Sequence, residues 1–212
     1  MKSPNSINRL RSVVCWLTIL LAQSAISFYA AFAESPAELA AHPGPAQVDP
    51  WEAVATPGAQ HERLATLVGN WDVTVKNWTQ PNAAPHESKA RSKKELFLGG
   101  RFIKEEFEGQ AEADGKLFTG FGLLGYDRLA EQYTSLWLDT TTTAMLVSAG
   151  KADGAGNTLI LFGEYRDPRS QTPRKTRTVY RLVSKDMHLF EIYELLGRRE
   201  EVKTTEIVYT RR

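Results

Sequence analysis

The chain has 212 residues, of which 42% are apolar and 10% aromatic, and its 26 basic and 25 acidic residues nearly cancel. A chain with this much apolar sequence can bury a core, so a mainly disordered protein is excluded. The formal net charge of +1 argues against a dedicated nucleic-acid binder, and the length suits one domain or at most two small ones. A single cysteine excludes disulfide scaffolds and cysteine-based zinc sites.

Residues 1–33 have the pattern of a secretory signal peptide. They contain three basic residues and no acidic one, an apolar run over residues 13–21, and the small-x-small sequence Ala31–Ala33 directly before Glu34. The alternative is an uncleaved membrane anchor, since the apolar region is nearly long enough to span a bilayer. We expect cleavage and an exported protein, periplasmic or extracellular, with no stable membrane insertion. Cys15 lies inside this segment and away from the cleavage point, so the mature chain would have no thiol.

Between this segment and the folded body, residues 34–58 are expected to form a flexible or semi-extended tether. They contain five of the ten prolines among many alanines, a composition that disfavours regular structure. A short helix is predicted over residues 59–67, where Leu64 and Leu67 share one face and Gly69 ends the element. The folded body is therefore expected to span residues 59–212.

After the predicted helix the apolar residues recur with a period of two, which predicts β-strands. Turn residues such as Gly156-Asn157 separate about ten alternating segments. The segments lie near residues 71–76, 87–97, 101–108, 116–126, 132–139, 144–150, 157–165, 174–184, 188–196 and 200–211. No helix-length pattern separates them, so the expected fold is all-β, a single antiparallel up-and-down β-barrel of about ten strands. A two-sheet sandwich is the alternative, although its open sheet edges would need protection.

The sequence Gly69-Asn70-Trp71, placed after the helix and at the start of the first strand, resembles the G-x-W signature of the calycin superfamily. In those barrels the tryptophan closes one end, and an arginine from the last strand packs across it. The resemblance implies this closing role for Gly69, Trp71 and Arg211, with Arg212 as the alternative arginine.

Longer stretches of the body resemble a bacterial family that is defined only as domain of unknown function 1579. The matching segments are His61–Trp71, Leu98–Phe102, Gly125–Asp127, Trp137–Asp139, Gly163-Glu164, Asp167-Pro168 and Glu206–Arg211. They cover nearly the whole body, and the resemblance implies a lipocalin-like barrel. It brings no established activity and no catalytic residue.

Motifs that would indicate a cofactor or a hydrolase are missing or misplaced. Residues 120–125 spell G-x-G-x-x-G, but a strand follows where a dinucleotide site needs a helix, so we interpret these glycines as points of barrel curvature or close backbone approach. The sequence contains no G-x-S-x-G elbow. Its four histidines show no metal-ligand spacing, and His188, the only one predicted on a strand, is the only candidate ligand for a haem. We expect neither a cofactor nor a metal.

Carboxylates and aromatic residues on otherwise apolar strands are the best candidates for a binding site. If these faces point inward, charged and aromatic groups enter one cavity, and any buried carboxylate needs a partner. The predicted ligand-binding residues are the aromatic Phe121, Tyr126, Trp137 and Tyr193 and the polar Arg101, Asp139, Glu164 and Glu206. By contrast, we interpret the basic residues of one strand as a solvent-exposed face. These residues are Lys89, Arg91, Lys93 and Lys94.

Three classes of function are compatible with this sequence. The leading hypothesis is a protein that binds a small, mostly apolar ligand inside the barrel. The alternatives are an enzyme that uses an inward carboxylate for proton transfer, and a structural envelope protein whose barrel is filled by its own side chains. A cavity would distinguish the first class from the third, and a carboxylate with a strongly shifted pKa would favour the enzyme. No nucleic-acid partner is expected, and the oligomeric state is left open.

Overall fold

The structure, a computed structural model, describes residues 49–212 apart from residues 82, 112–114 and 198–199. The predicted signal peptide and the predicted tether up to residue 48 lie outside the described residues. Within the described part of the chain, two short helices precede ten strands. The elements are α1 (Pro50–Ala55), α2 (Ala59–Ala65), β1 (Gly69–Asn77), β2 (His86–Phe97), β3 (Phe102–Ala111), β4 (Leu117–Asp127), β5 (Gln132–Asp139), β6 (Leu146–Ala152), β7 (Thr158–Arg166), β8 (Pro173–Ser184), β9 (Met187–Leu195) and β10 (Glu201–Arg211).

The strands form one closed antiparallel barrel. Each strand pairs with its neighbours in sequence, and β1 closes the ring by pairing with β10. Along this seam Trp71 lies opposite Arg211 at one end, and Asn77 lies opposite Thr205 at the other. Closure removes the free sheet edges that a meander of this length would otherwise present. The predicted all-β up-and-down barrel is therefore confirmed, and the sandwich alternative is not adopted.

The last part of the predicted tether is helical, which corrects the expectation of an irregular segment. Asp49 caps α1, since its side chain accepts a hydrogen bond from the backbone N–H of Trp51 at 2.9 Å. Pro50 occupies the first helical turn, where its missing N–H would have no helical partner in any case. The proline content misled the prediction because proline breaks a helix interior but suits its first position.

Helix α2 covers one end of the barrel, which we call the closed end. His61 lies at its start and accepts a hydrogen bond from the Gly58 N–H through Nδ1 at 3.0 Å. Leu64 and Leu67 are buried in a cluster of apolar side chains from inside the barrel. The helix predicted over residues 59–67 is thus present, although it ends at Ala65. The opposite end of the barrel, where β1 ends at Asn77, is called the open end.

Two glycines of β4 make room inside the barrel for a large side chain of β5. A Cβ atom at Gly120 would lie 2.3 Å from the Trp137 ring, and one at Gly122 would lie 3.2 Å from it. The indole therefore lies directly against the β4 backbone. The G-x-G-x-x-G sequence is a packing feature of a strand, as its sequence context predicts.

Strand β2 shows which of its basic residues face solvent. Ala90, Ser92 and Lys94 are buried, whereas Lys93 is exposed. The interpretation of Lys94 as part of an exposed basic face is therefore wrong, because its side chain is only 2% exposed. Consecutive residues of a strand point to opposite faces, so Lys93 and Lys94 cannot both face solvent on a barrel.

Candidate ligand-binding site

A cavity of about 1020 Å³ extends through the barrel interior from Asn77 and Thr205 at the open end to Leu67 near the closed end. This volume lies at the upper end of the roughly 300–1,000 Å³ that small-molecule sites occupy. Most of the wall is apolar. The apolar lining residues are Val75, Ala90, Ile103, Phe107, Phe118, Leu124, Trp137, Leu146, Phe190, Ile192 and Ile207.

A charged pair lies at the inner end of this cavity. Lys94 Nζ lies 3.4 Å from Glu105 Oε2, and the two side chains are 2% and 11% exposed. Ser92 Oγ donates a hydrogen bond of 2.7 Å to Glu105 Oε1. The sheet register brings the two charges together, because Lys94 on β2 is directly paired with Glu105 on β3. Each charge depends on the other, since an isolated buried charge is strongly unfavourable.

Two aromatic rings pack against this pair. His188 stacks on Tyr209 with ring centroids 4.2 Å apart, and Trp71 meets His188 edge-on at 4.4 Å. His188 Nε2 lies 3.0 Å from Lys94 Nζ and accepts its hydrogen bond, because an ammonium group has only donors. The same Nζ lies 4.0 Å from the centroid of the Tyr209 ring. We call Ser92, Lys94, Glu105, His188 and Tyr209 the floor cluster.

The surroundings of the floor cluster shift several pKa values. Burial, followed by the positive charges of Lys94 and Arg211, lowers the pKa of His188 to about 2. Burial also lowers the pKa of Lys94, and Glu105 opposes that shift. Burial raises the pKa of Tyr209, with a further contribution from the Glu105 carboxylate. At neutral pH the imidazole and the phenol are therefore neutral.

The buried imidazole should make the protein sensitive to mild acid. In the unfolded chain His188 takes up a proton near its ordinary pKa of 6.5, whereas in the folded protein it stays neutral down to about pH 2. Unfolding therefore binds a proton below pH 6.5, and stability that is present at neutral pH is lost as the pH falls. We expect His188 to account for a loss of about 2 kcal/mol between pH 7 and pH 5, measured by urea unfolding.

A His188→Gln variant should lose this part of the pH dependence, since a glutamine does not titrate. His86→Gln is the matched control, because His86 is exposed at the start of β2 and its replacement should leave the pH dependence as in the wild type. Parallel curves of unfolding free energy against pH for the wild type and His188→Gln would contradict the assignment.

His188 does not fit the haem hypothesis that its strand position raised. Its ring is held between Trp71 and Tyr209, and its Nε2 is taken by Lys94. It is also absent from the set of described residues that line the cavity. Elsewhere in the described ranges, no group of three His, Cys, Asp or Glu side chains is placed to hold a metal ion.

The three residues predicted to close the barrel end are in contact. The Arg211 guanidinium lies 4.2 Å from the centroid of the Trp71 ring and donates to two backbone carbonyls between α2 and β1 at 2.8 and 3.2 Å. Trp71 Nε1 donates to the Leu67 carbonyl at 3.0 Å. Gly69 has φ 146°, and a Cβ atom there would lie 2.3 Å from Arg211 Nη1. The alternative arginine, Arg212, is exposed.

Three of the predicted ligand-binding residues border the cavity. Trp137 forms part of the wall and makes an edge contact with Phe107 at 5.8 Å. Asp139 lies near the open end, where its carboxylate accepts a hydrogen bond of 2.9 Å from Trp137 Nε1. Glu164 touches the rim, but its side chain is exposed, because β7 directs the neighbouring Tyr165 inward instead.

Three other predicted residues lie on the outer face of the barrel, which corrects their assignment to the cavity. Phe121 alternates with the inward Gly120 and Gly122. Tyr193 lies under the Arg177 guanidinium, 4.2 Å from its ring centroid. Glu206 forms ion pairs with lysines of the outer surface at 3.4 and 2.9 Å, and its neighbour Ile207 points inward. A shift of one residue in the assumed facing moves a side chain to the opposite surface.

The remaining two predicted residues lie at the closed end and do not reach the cavity. Arg101 is exposed in the turn between β2 and β3, where its Nη1 donates to the Leu98 carbonyl at 3.1 Å. Tyr126 does point inward, but it packs under α2 against His61 and Tyr133, at centroid distances of 6.0 and 4.9 Å. The expected role of Arg101 as a polar anchor is therefore not supported, and Tyr126 belongs to the core.

The floor cluster was missed by sequence reasoning, although one signal for it exists. In β2 the small residues Ala90 and Ser92 alternate with Arg91 and Lys93, and Lys94 continues the inward series. A lysine in phase with small residues indicates a buried cation. Its partner Glu105 stands in phase with Phe107 on the next strand, so strict counting from that phenylalanine would have found the pair.

Comparisons with known proteins identify a matching family and similar solved structures. A family model described as "Protein of unknown function (DUF1579)" matches residues 56–211. The crystal structure of Rv2717c from M. tuberculosis is similar at 15% identity and a TM-score of 0.52, covering 74% of this chain and 99% of that one. The S-type phycobiliprotein lyase CPES from Guillardia theta aligns at 14% identity and a TM-score of 0.43, over 71% of this chain and 91% of its own. No curated protein matches the chain significantly.

Proposed function

Because the chain belongs to the DUF1579 family of proteins of unknown function, we propose its function from the cavity itself: the barrel binds a small, mostly apolar molecule. The observation that carries this proposal is an internal space of about 1020 Å³ with aliphatic and aromatic walls. Burial of apolar surface supplies the affinity in such a site, and a few polar groups supply the orientation.

The size of the cavity favours a ligand-binding barrel over a barrel filled by its own side chains. A filled barrel requires large residues at its inward positions. Here several inward positions of the wall are small instead, namely Ser88, Ala90, Ser135 and Ser148. These positions leave space along the barrel axis beside the aromatic rings of Phe107 and Trp137.

The proposal can be tested with the neutral fluorescent probe N-phenyl-1-naphthylamine. We expect saturable binding to the purified protein with enhanced fluorescence, because the naphthyl group enters an apolar and water-poor site. Saturation at about one probe per chain would support the proposal. Fluorescence that rises without saturation, or only when the protein is partly unfolded, would count against it.

A pair of tryptophan variants tests whether the probe binds inside the barrel. Val75 lines the cavity near the open end, whereas its neighbour Thr74 faces outward and accepts a hydrogen bond from Lys89. Val75→Trp should reduce probe affinity by about tenfold or more, because the indole occupies the passage. Thr74→Trp should leave it nearly unchanged. Equal affinities for both variants would show that the probe binds elsewhere.

We also propose that the protein is exported and cleaved after Ala33, on the pattern of basic start, apolar run and small-x-small end. Among the described residues, no helix is both long and apolar enough to cross a bilayer. Mass spectrometry of the protein recovered from the native host should give an N-terminus at Glu34. Recovery of the intact N-terminus in the membrane fraction would favour the uncleaved anchor.

A further inference from the structure

We infer that the cavity selects molecules whose buried end is a neutral oxygen group, a hydroxyl or a carbonyl, over carboxylates of the same length. This inference rests on the proposed function and specifies the chemistry of the ligand. It is carried by three features of the described lining: a cation that is already neutralised, a pair of uncharged hydroxyl groups, and an excess of carboxylates.

The buried cation has no capacity left for an acidic ligand. Lys94 Nζ makes a hydrogen bond to His188 at 3.0 Å, lies 3.4 Å from the Glu105 carboxylate, and lies 4.0 Å from the Tyr209 ring centroid. The three N–H groups of the Lys94 ammonium thus all point at partners inside the protein. A ligand carboxylate that reached this depth would have to displace Glu105 or remain unpaired, and an unpaired buried carboxylate is strongly disfavoured.

Two hydroxyl groups of the cavity lining offer what a neutral oxygen needs. Tyr180 on β8 lies next to Ser135 on β5, and both side chains line the cavity. If the two hydroxyls share one hydrogen bond, they still present one O–H donor and free lone pairs. A ligand hydroxyl can use both, and a carbonyl can use the donor. Because burial raises the pKa of Tyr180, this donor keeps its proton at neutral pH.

The charges along the cavity also oppose anions. Among the described lining residues whose side chains point inward, three carry a carboxylate and one, Lys94, carries an ammonium group. The carboxylates belong to Glu105, Asp139 and Glu194. A cation outside the lining, Arg174, pairs with Glu194 at 3.3 Å. An anion therefore meets a wall with more negative than positive groups on its way inward.

The decisive experiment compares 1-decanol, 2-decanone and decanoate at pH 7.5 as competitors of bound N-phenyl-1-naphthylamine. The three chains have the same length and differ in their polar end. We expect the alcohol and the ketone to displace the probe at concentrations at least about tenfold lower than decanoate. Decanoate as the equal or better competitor would overturn the inference, as would failure of both neutral compounds to displace the probe. If the probe itself does not bind, the proposed function fails first.

A charge variant tests the cause of this preference. Glu105→Gln keeps an acceptor for Ser92 but leaves Lys94 without its carboxylate, so decanoate should bind more tightly to this variant than to the wild type. Glu106→Gln is the matched control, because Glu106 faces outward and pairs with Lys104 at 2.9 Å. An unchanged preference in a folded, probe-binding Glu105→Gln protein would refute the role of the neutralised pair. If this variant does not fold, the wild-type series decides alone.

A second variant tests the hydroxyl pair. Tyr180→Phe with Ser135→Ala removes both hydroxyls and should weaken 1-decanol about threefold to tenfold while probe affinity stays constant. Tyr193→Phe is the control, since Tyr193 lies on the outer face under Arg177. An equal loss for the probe and for 1-decanol would indicate a general change in cavity shape and would contradict recognition by these hydroxyls.

Discussion

Replacing Trp71 by alanine is expected to lower the free energy of unfolding by about 3–5 kcal/mol, measured by urea unfolding. Trp71 is 1% exposed, and its loss leaves a void where His188 and the Arg211 guanidinium now pack against the indole at 4.4 and 4.2 Å. It also leaves the Leu67 carbonyl without the hydrogen bond from Nε1. The effect combines lost apolar burial, a cavity and an unsatisfied acceptor.

A matched control for this substitution exists in the same chain. Trp51 on α1 is 77% exposed, so Trp51→Ala should change the free energy of unfolding by no more than about 0.5 kcal/mol. Trp71→Phe should lie between the two, because it keeps part of the apolar volume and loses the indole N–H. A Trp71→Ala protein as stable as Trp51→Ala would show that the contact with Arg211 does not hold the barrel end together.

The architecture could be predicted because its signals are local. Each strand shows a period of two, turn residues separate the strands, and the G-x-W sequence stands where the first strand begins. Closure then follows because about ten consecutive antiparallel strands in an open sheet would leave unprotected edges. Gly69, Trp71 and Arg211 could be assigned together for a different reason. The resemblance to a known signature implies that residues at the start of the first strand and at the end of the last strand meet.

Which strand faces point inward could not be predicted with the same success. Strand β4 is apolar on both sides, with Phe121 and Leu123 outward and Gly122 and Leu124 inward. Hydrophobic alternation does not indicate which face of such a strand points inward, so the predicted inward position of Phe121 is wrong. Trp137 was placed correctly, but only the two glycines opposite it explain why an indole fits there.

The burial of charged residues was harder still to predict, because it depends on partners that are distant in sequence. Lys94 stands in a run of basic residues, and nothing local distinguishes it from Lys93. Its buried position becomes reasonable only when the register places Glu105 beside it and when β9 supplies His188. A buried polar cluster is satisfied by tertiary structure, so a single strand read alone shows it as an exposed charge.

The buried charges of Lys94 and Glu105 are expected to depend on each other energetically. Lys94→Met should lower the free energy of unfolding by about 3–5 kcal/mol. The substitution leaves Glu105 buried without a counter-ion and His188 Nε2 without a donor. The double variant Lys94→Met/Glu105→Gln should recover much of this loss, since it removes the isolated charge and keeps an acceptor for Ser92. Lys93→Met is the matched control, because Lys93 is 53% exposed in its pair with Glu95, and exposed pairs contribute less than about 1 kcal/mol. Additive losses in the double variant would mean that the two charges do not depend on each other, and the floor cluster would then not keep acidic ligands out by neutralising its own cation.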